Sequence, residues 1–93
     1  MVVHGNDGLD EVTTTTSTTV TELKGGEIRT YKITPGQFGL KVSHIEDLKG
    51  GDARNNAKVI LEILNEKHGL KREIVLLNAG CAIYAADKAK DIK

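Results

Sequence analysis

The chain is 93 residues long, with thirteen Lys and Arg against thirteen Asp and Glu, 39% apolar residues, one Phe, two Tyr, no Trp and one Cys. That length admits one domain, and by size scaling it leaves roughly 35–40% of the unfolded surface exposed. Zero net charge argues against a general nucleic-acid binder, the single Cys81 excludes an internal disulfide framework and a cysteine-only zinc site, and no apolar run approaches the roughly 20 residues that span a bilayer.

The zero conceals an asymmetry. Every basic residue lies at Lys24 or later, so the chain carries −4 up to Leu23 and +4 from Lys24 onward. Met1-Val2-Val3-His4 starts with a short β-type run. The stretch 5–11, Gly-Asn-Asp-Gly-Leu-Asp-Glu, is a loop by its turn chemistry and holds three of the first four acids. A Thr-rich tract follows; its second half, from Thr18, reads as a strand because β-branched residues suit a pleated surface. A flexible or O-glycosylated linker is the other reading of a low-complexity Thr tract. Gly25-Gly26 supplies a two-residue turn. Ile28 to Ile33 alternates as the returning strand, which predicts a hairpin over 18–33.

Thr34-Pro35-Gly36 ends the hairpin. The stretch up to Gly51 reads as loop with a short helical turn near Pro35 to Phe38. Asp52 is an N-cap, and Ala53, Ala57, Ile60, Leu61 and Leu64 recur at helical spacing. This predicts a helix over about 52–67, ended by His68-Gly69. A second helix is expected over about 71–88, with Ile74, Leu77, Cys81 and Ala85 (or Tyr84) as one apolar stripe. Val75, Ala79 and Ala82 widen that stripe, so this helix is expected to be mostly buried. The fold class is α/β, or α+β as an isolated piece: a short N-terminal strand and a hairpin followed by two helices.

Asp10 and Glu11 are the candidate metal ligands. Adjacent carboxylates on a Gly-flanked loop, with Asp7 near, suit a hard cation such as Mg²⁺, which takes one or two protein carboxylates and keeps waters and phosphate oxygens. The plainer alternative is a solvated acidic turn in which Asp7 and Asn6 make local hydrogen bonds. His4 reads as an ordinary residue at a strand end before it reads as a base. His44 and His68 show no partner at metal-ligand spacing. Cys81 reads as a buried core thiol. Gly50-Gly51-Asp52 could receive an anion at a helix N-terminus, but it lacks the surrounding phosphate-loop pattern. Asn56 and Asn78, each followed by Ala, are expected to make local or inter-segment hydrogen bonds.

Taken together, the blocks Val3-His4-Gly5-Asn6-Asp7-Gly8-Leu9-Asp10-Glu11, Pro35-Gly36-Gln37-Phe38-Gly39-Leu40, Asp47 through Ala57, and Leu76-Leu77-Asn78-Ala79-Gly80-Cys81-Ala82 resemble, in order and spacing, the later part of the anthranilate phosphoribosyltransferase family. The resemblance runs from Val2 to about Asp87. It implies part of a nucleoside phosphorylase/phosphoribosyltransferase catalytic domain. The implied reaction has anthranilate displace pyrophosphate from phosphoribosyl pyrophosphate, in tryptophan biosynthesis. It implies Mg²⁺ held by Asp10 and Glu11, with Gly8 and Leu9 shaping the loop. Thr13 and Thr14 follow it, their structural use favoured over ligand contact. No catalytic or cofactor-binding residue is assigned to this stretch.

Family enzymes are several times longer and place their phosphoribosyl-binding and anthranilate-contacting segments upstream. The chain is therefore expected to be a fragment, inactive alone, from a cytoplasmic enzyme that is a homodimer when complete. Met1 could be a native start or an internal boundary. Gly80 stands where the family usually has Ala. A non-catalytic interaction module sharing this fold segment is the competing reading. A related phosphorylase is a third, against which the Gly-Leu-Asp-Glu loop argues.

Overall fold

A computed structural model describes residues 1–92. Strand β1 (Val2–Gly5) pairs antiparallel with β2 (Thr18–Lys24), which pairs antiparallel with β3 (Glu27–Ile33), in the order β1-β2-β3. Val3 stands opposite Val20, and Val20 opposite Tyr31. The hairpin turn is Gly25-Gly26 with φ of 59° and 80°, the positive pair that a tight two-residue turn demands and that only glycine adopts freely.

The sheet buries one face. Val20 and Ile33 from the sheet, Val12 from the β1–β2 loop, and Leu77 and Cys81 from the last helix form the core, with Val3, Tyr31, Phe38, Leu40 and Ile92 packed around it. The last helix covers the sheet much as expected for Leu77 and Cys81. This is a two-layer arrangement with a single apolar seam.

After β3, Pro35–Phe38 forms a single 3₁₀ turn with Pro at its first position, where a missing N–H costs nothing. The stretch expected as loop also contains a short helix, α1 (Ile45–Leu48). Its start is held by the His44 N–H donating to the Asp47 carboxylate at 2.9 Å. Four residues are too few to show a helical period, which is why pattern alone misses it.

Helix α2 (Ala53–Leu64) begins where expected: Asp52 accepts from the Asn55 N–H at 2.8 Å. It ends three residues earlier than expected. Glu66 turns left-handed, φ 65°, and the Lys67 N–H reaches back to the Glu62 carbonyl at 2.9 Å. Helix α3 (Leu70–Ala85) also stops three residues early, in the same way: Asp87 has φ 60° and the Lys88 N–H bonds the Ile83 carbonyl at 3.1 Å. Both ends are left-handed caps in which an acid occupies the position where Gly is the usual signal.

The α2 stripe does not enter the core: Ile60, Leu61 and Leu64 are 57%, 60% and 73% exposed. The expectation that helix α3 is mostly buried is corrected. Ile74, Leu77 and Cys81 are buried, while Val75, Leu76 and Ile83 stand about half exposed. A three-stranded sheet has area for one helix stripe, and among the described residues no second layer covers the other faces. Gly80 has a local reason: a Cβ there would come within 2.9 Å of the Ile92 carbonyl oxygen, so the tail crosses α3 at a position that a methyl would obstruct.

Candidate functional site

The loop from Asn6 to Ser17 joins β1 to β2 and is built from the inside by polar bonds. Its neck closes through Asn6: the backbone N–H donates to the Ser17 carbonyl at 3.0 Å, and the side chain bonds Ser17 Oγ at 2.8 Å and accepts from Thr19 Oγ1 at 3.0 Å. The Gly5 N–H donates to the Leu9 carbonyl and the Gly8 N–H to the Gly5 carbonyl, both at 2.9 Å. This fold-back needs Gly5 for space. A Cβ there would lie 2.7 Å from Asp7 Oδ1 and 3.1 Å from Thr13 Cβ.

Asp7 is the hub. One carboxylate oxygen accepts from the Leu9 N–H at 3.1 Å; the other accepts from the Thr13 hydroxyl at 2.7 Å and from the Thr15 hydroxyl. Partial burial pulls its pKa up, but these hydroxyl and amide donors outweigh it, and the carboxyl sits below its ordinary value. The Thr tract is thus neither a linker nor mere strand. Thr13, Thr14 and Thr18 are fully buried, the Thr13 N–H donates to Thr18 Oγ1 at 3.0 Å, and Thr14 Oγ1 shares a 2.6 Å bond with Ser43.

A second hold comes from α3. The Asn78 side chain accepts from the Val12 N–H at 2.9 Å and donates to the Val12 carbonyl at 2.8 Å and to the Ile74 carbonyl at 2.9 Å. The expected inter-segment bond of Asn78 is therefore a two-way clamp on the residue directly after Glu11. Sequence reasoning names the residue but not its target, 66 positions away.

Asp10 and Glu11 lie between these two anchors and are exposed. Neither carboxylate has a hydrogen bond or ion pair among the described residues, while the third acid, Asp7, is consumed inward. No group of three His, Cys, Asp or Glu side chains that could hold a metal occurs among the described residues. The donor set suits a cation that takes two hard oxygen ligands from protein and the rest from water or phosphate; it does not suit a closed protein cage.

The other candidates take ordinary roles. His4 is an exposed strand residue opposite Thr19. His68 lies in the link between α2 and α3. Cys81 is buried, and burial pushes its thiol pKa up, away from the thiolate a nucleophile requires. At Gly50-Gly51-Asp52 the central amide is occupied: the Gly51 N–H donates to Asn56 Oδ1 at 2.9 Å and Asn56 Nδ2 donates back to the Gly51 carbonyl at 3.1 Å. The Asn55 N–H is likewise taken by the Asp52 carboxylate, at 2.8 Å.

A small antiparallel sheet backed by one helix, with a Gly-rich acidic loop at the end of its first strand, is the shape of a segment from an α/β transferase domain. The family described as "Glycosyl transferase family, a/b domain" matches residues 1–93, and the chain belongs to it. Among its relatives is the anthranilate phosphoribosyltransferase of Clostridium kluyveri, 55% identical over 93 residues, which span all of this chain and 28% of that protein. The enzyme of the same name from Clostridium beijerinckii is 48% identical, over all of this chain and 27% of that protein.

The solved anthranilate phosphoribosyltransferase of Thermus thermophilus superposes with a TM-score of 0.86 and 36% identity, over 98% of this chain and 26% of that one. A Saccharomyces cerevisiae structure of that enzyme in complex with PRPP and Mg gives 0.84 and 25%, over 98% of this chain and 27% of that one. The resemblance read from the motif blocks and the expected fold class are borne out. The chain spans little more than a quarter of the length of the relatives it matches.

Proposed function

We propose that this chain is the late part of the catalytic α/β domain of an anthranilate phosphoribosyltransferase, and that its contribution is the metal-pyrophosphate side of the site. The observation that carries the reading is the pair Asp10–Glu11: two exposed carboxylates with no protein partner among the described residues, on a loop anchored at Asp7 and at Val12. Relatives matching the whole chain bear that enzyme's name, and one solved neighbour is described with PRPP and Mg. The complete enzyme transfers the phosphoribosyl group from phosphoribosyl pyrophosphate to anthranilate, releasing pyrophosphate.

Asp10 and Glu11 would hold Mg²⁺. The ion, when bound, neutralises charge developing on the leaving pyrophosphate. The protein's part is positioning. Asp7, with Thr13 and Thr15, fixes the inner side of the loop, and the short span to Val12 keeps both acids near the sheet edge. The −4 charge of the first 23 residues is concentrated here, which favours a cation.

The exposed apolar residues of α2 and α3 support the reading that further polypeptide covers this segment. Among the described residues no helix is long and apolar enough to cross a membrane. The single buried Cys81 accords with a reducing, cytoplasmic setting, and we assign the complete enzyme a homodimeric state by its family. The test is turnover: the isolated chain should release no pyrophosphate from phosphoribosyl pyrophosphate and anthranilate. The complete protein should do so with Mg²⁺, and replacing Asp10 and Glu11 should remove that dependence. Normal turnover by the 93 residues alone would refute the fragment reading.

A further inference from the structure

We infer that Asn78 is a positioning residue for the metal-binding loop, an inference that rests on reading Asp10 and Glu11 as the Mg²⁺ ligands. The backbone of Val12 immediately follows Glu11, and both of its polar groups end on one side chain: the N–H on Asn78 Oδ1 and the carbonyl on Asn78 Nδ2, at 2.9 and 2.8 Å. The remaining Nδ2 hydrogen is spent on the Ile74 carbonyl one turn earlier in α3, at 2.9 Å. That third bond fixes the amide's rotation, so the clamp is rigid rather than adaptable.

Only Asn satisfies this geometry. The site needs one acceptor and two donors in a plane at a fixed reach. Asp of the same size presents oxygen to two carbonyls, and Ala leaves both Val12 groups unpaired. Val12 itself is 1% exposed, inside the core cluster that includes Leu77 and Cys81. Helix α3 therefore determines where the chain leaves the core and where Glu11 begins. Asp7 holds the loop on the other side of the acids, from within the loop itself. Asn78 is the element that references the acids to the helix-sheet core.

Residues that orient metal ligands typically cost 10–100-fold in metal affinity when replaced. The test uses the complete protein carrying this chain, with Mn²⁺ and inorganic pyrophosphate as probes. Bound Mn²⁺ is read by loss of the free-ion electron paramagnetic resonance signal, alongside a thermal melt. Asn78→Ala is expected to raise half-saturating Mn²⁺ by about 10-fold. Cys81→Ala, one turn along the same helix and in the same core, is the stability control and should leave half-saturation unchanged. Asp10→Asn with Glu11→Gln should abolish binding.

If Asn78→Ala binds Mn²⁺ as the parent does while the Asp10/Glu11 variant does not, the positioning role is overturned and the metal reading stands. If Cys81→Ala weakens binding as much as Asn78→Ala, the effect is general loosening and the role is again overturned. If the Asp10/Glu11 variant binds normally, the metal reading itself falls, and the role with it. Should Asn78→Ala fail to fold, Asn78→Asp, near-isosteric but without the two donors, is measured against the same outcomes.

Discussion

The β1–β2 loop and helix α2 are held in opposite ways. The loop contains few apolar side chains, yet its conformation is over-determined: Asn6, Asp7, Thr13, Thr15, Thr18 and Asn78 supply side-chain bonds across it. Helix α2 is amphipathic and well capped, yet its apolar face meets solvent, with Leu64 73% exposed. Between α1, α2 and α3 lies an open cleft lined by Leu48, Val59, Ile63, Ile74 and Val75. A polar network of directed bonds can complete itself from a few side chains, here with Asn78 and Ser43 added to the loop's own. An apolar face is completed only by another surface, and contiguous apolar patches of this kind mark contacts. The candidate site thus sits in the densely bonded half, and the uncovered apolar surface in the other.

That contrast can be broken at its strongest point first. Gly5→Val should be the most damaging single change, costing about 3 kcal/mol, because its side chain would occupy the space of Asp7 Oδ1 and Thr13 Cβ. Denaturant unfolding measures it, and a cost near zero would mean the loop is not tightly folded against the strand. Asn78→Ala should cost about 2 kcal/mol by leaving the Val12 N–H and carbonyl unpaired. A neutral result would show that water replaces the clamp.

The third test is acid sensitivity. The Asp7 carboxyl titrates below its ordinary 3.8 in the folded chain, so it contributes stability above that pH, lost as pH falls through the depressed folded value. Asp7→Asn should flatten this part of the acid-unfolding curve, and an unchanged curve would contradict the hub role. The smallest effect should come from the other half. Leu64→Lys is expected to shift the stability of the isolated chain by no more than about 0.5 kcal/mol, as an exposed substitution does. The same change in the complete protein should cost about 2 kcal/mol if that face is covered there. Equal, small effects in both would mean α2 is a solvent face.

The parts legible in the sequence are those with local causes. Gly25-Gly26 between alternating runs announces the hairpin, Asp52 announces the start of α2, and Ile74, Leu77 and Cys81 repeat at the spacing of a buried stripe. The acidic pair is visible because adjacent carboxylates with no basic neighbour need an external partner. What pattern does not reveal depends on distance or on an atypical residue. Glu66 and Asp87 end the helices from a left-handed conformation that Gly would have advertised. The destination of Asn78 lies across the fold, and one sequence has no period that reports it. Asp7 reads as a third acid near the site because composition cannot tell an inward acid from an outward one; two Thr hydroxyls decide it. The α2 stripe is amphipathic by pattern, and pattern does not reveal whether a surface that would cover it lies within the same 93 residues.

The account turns on Asp10 and Glu11 holding the Mg²⁺ that serves pyrophosphate departure. The most direct measurement is the Mg²⁺ dependence of pyrophosphate release from phosphoribosyl pyrophosphate and anthranilate by the complete protein, with and without Asp10→Asn and Glu11→Gln together. The account predicts a rate at saturating Mg²⁺ lowered by about 100-fold or more, as expected when charge stabilisation at a leaving group is removed. A variant that keeps the parent's rate and Mg²⁺ dependence would contradict it.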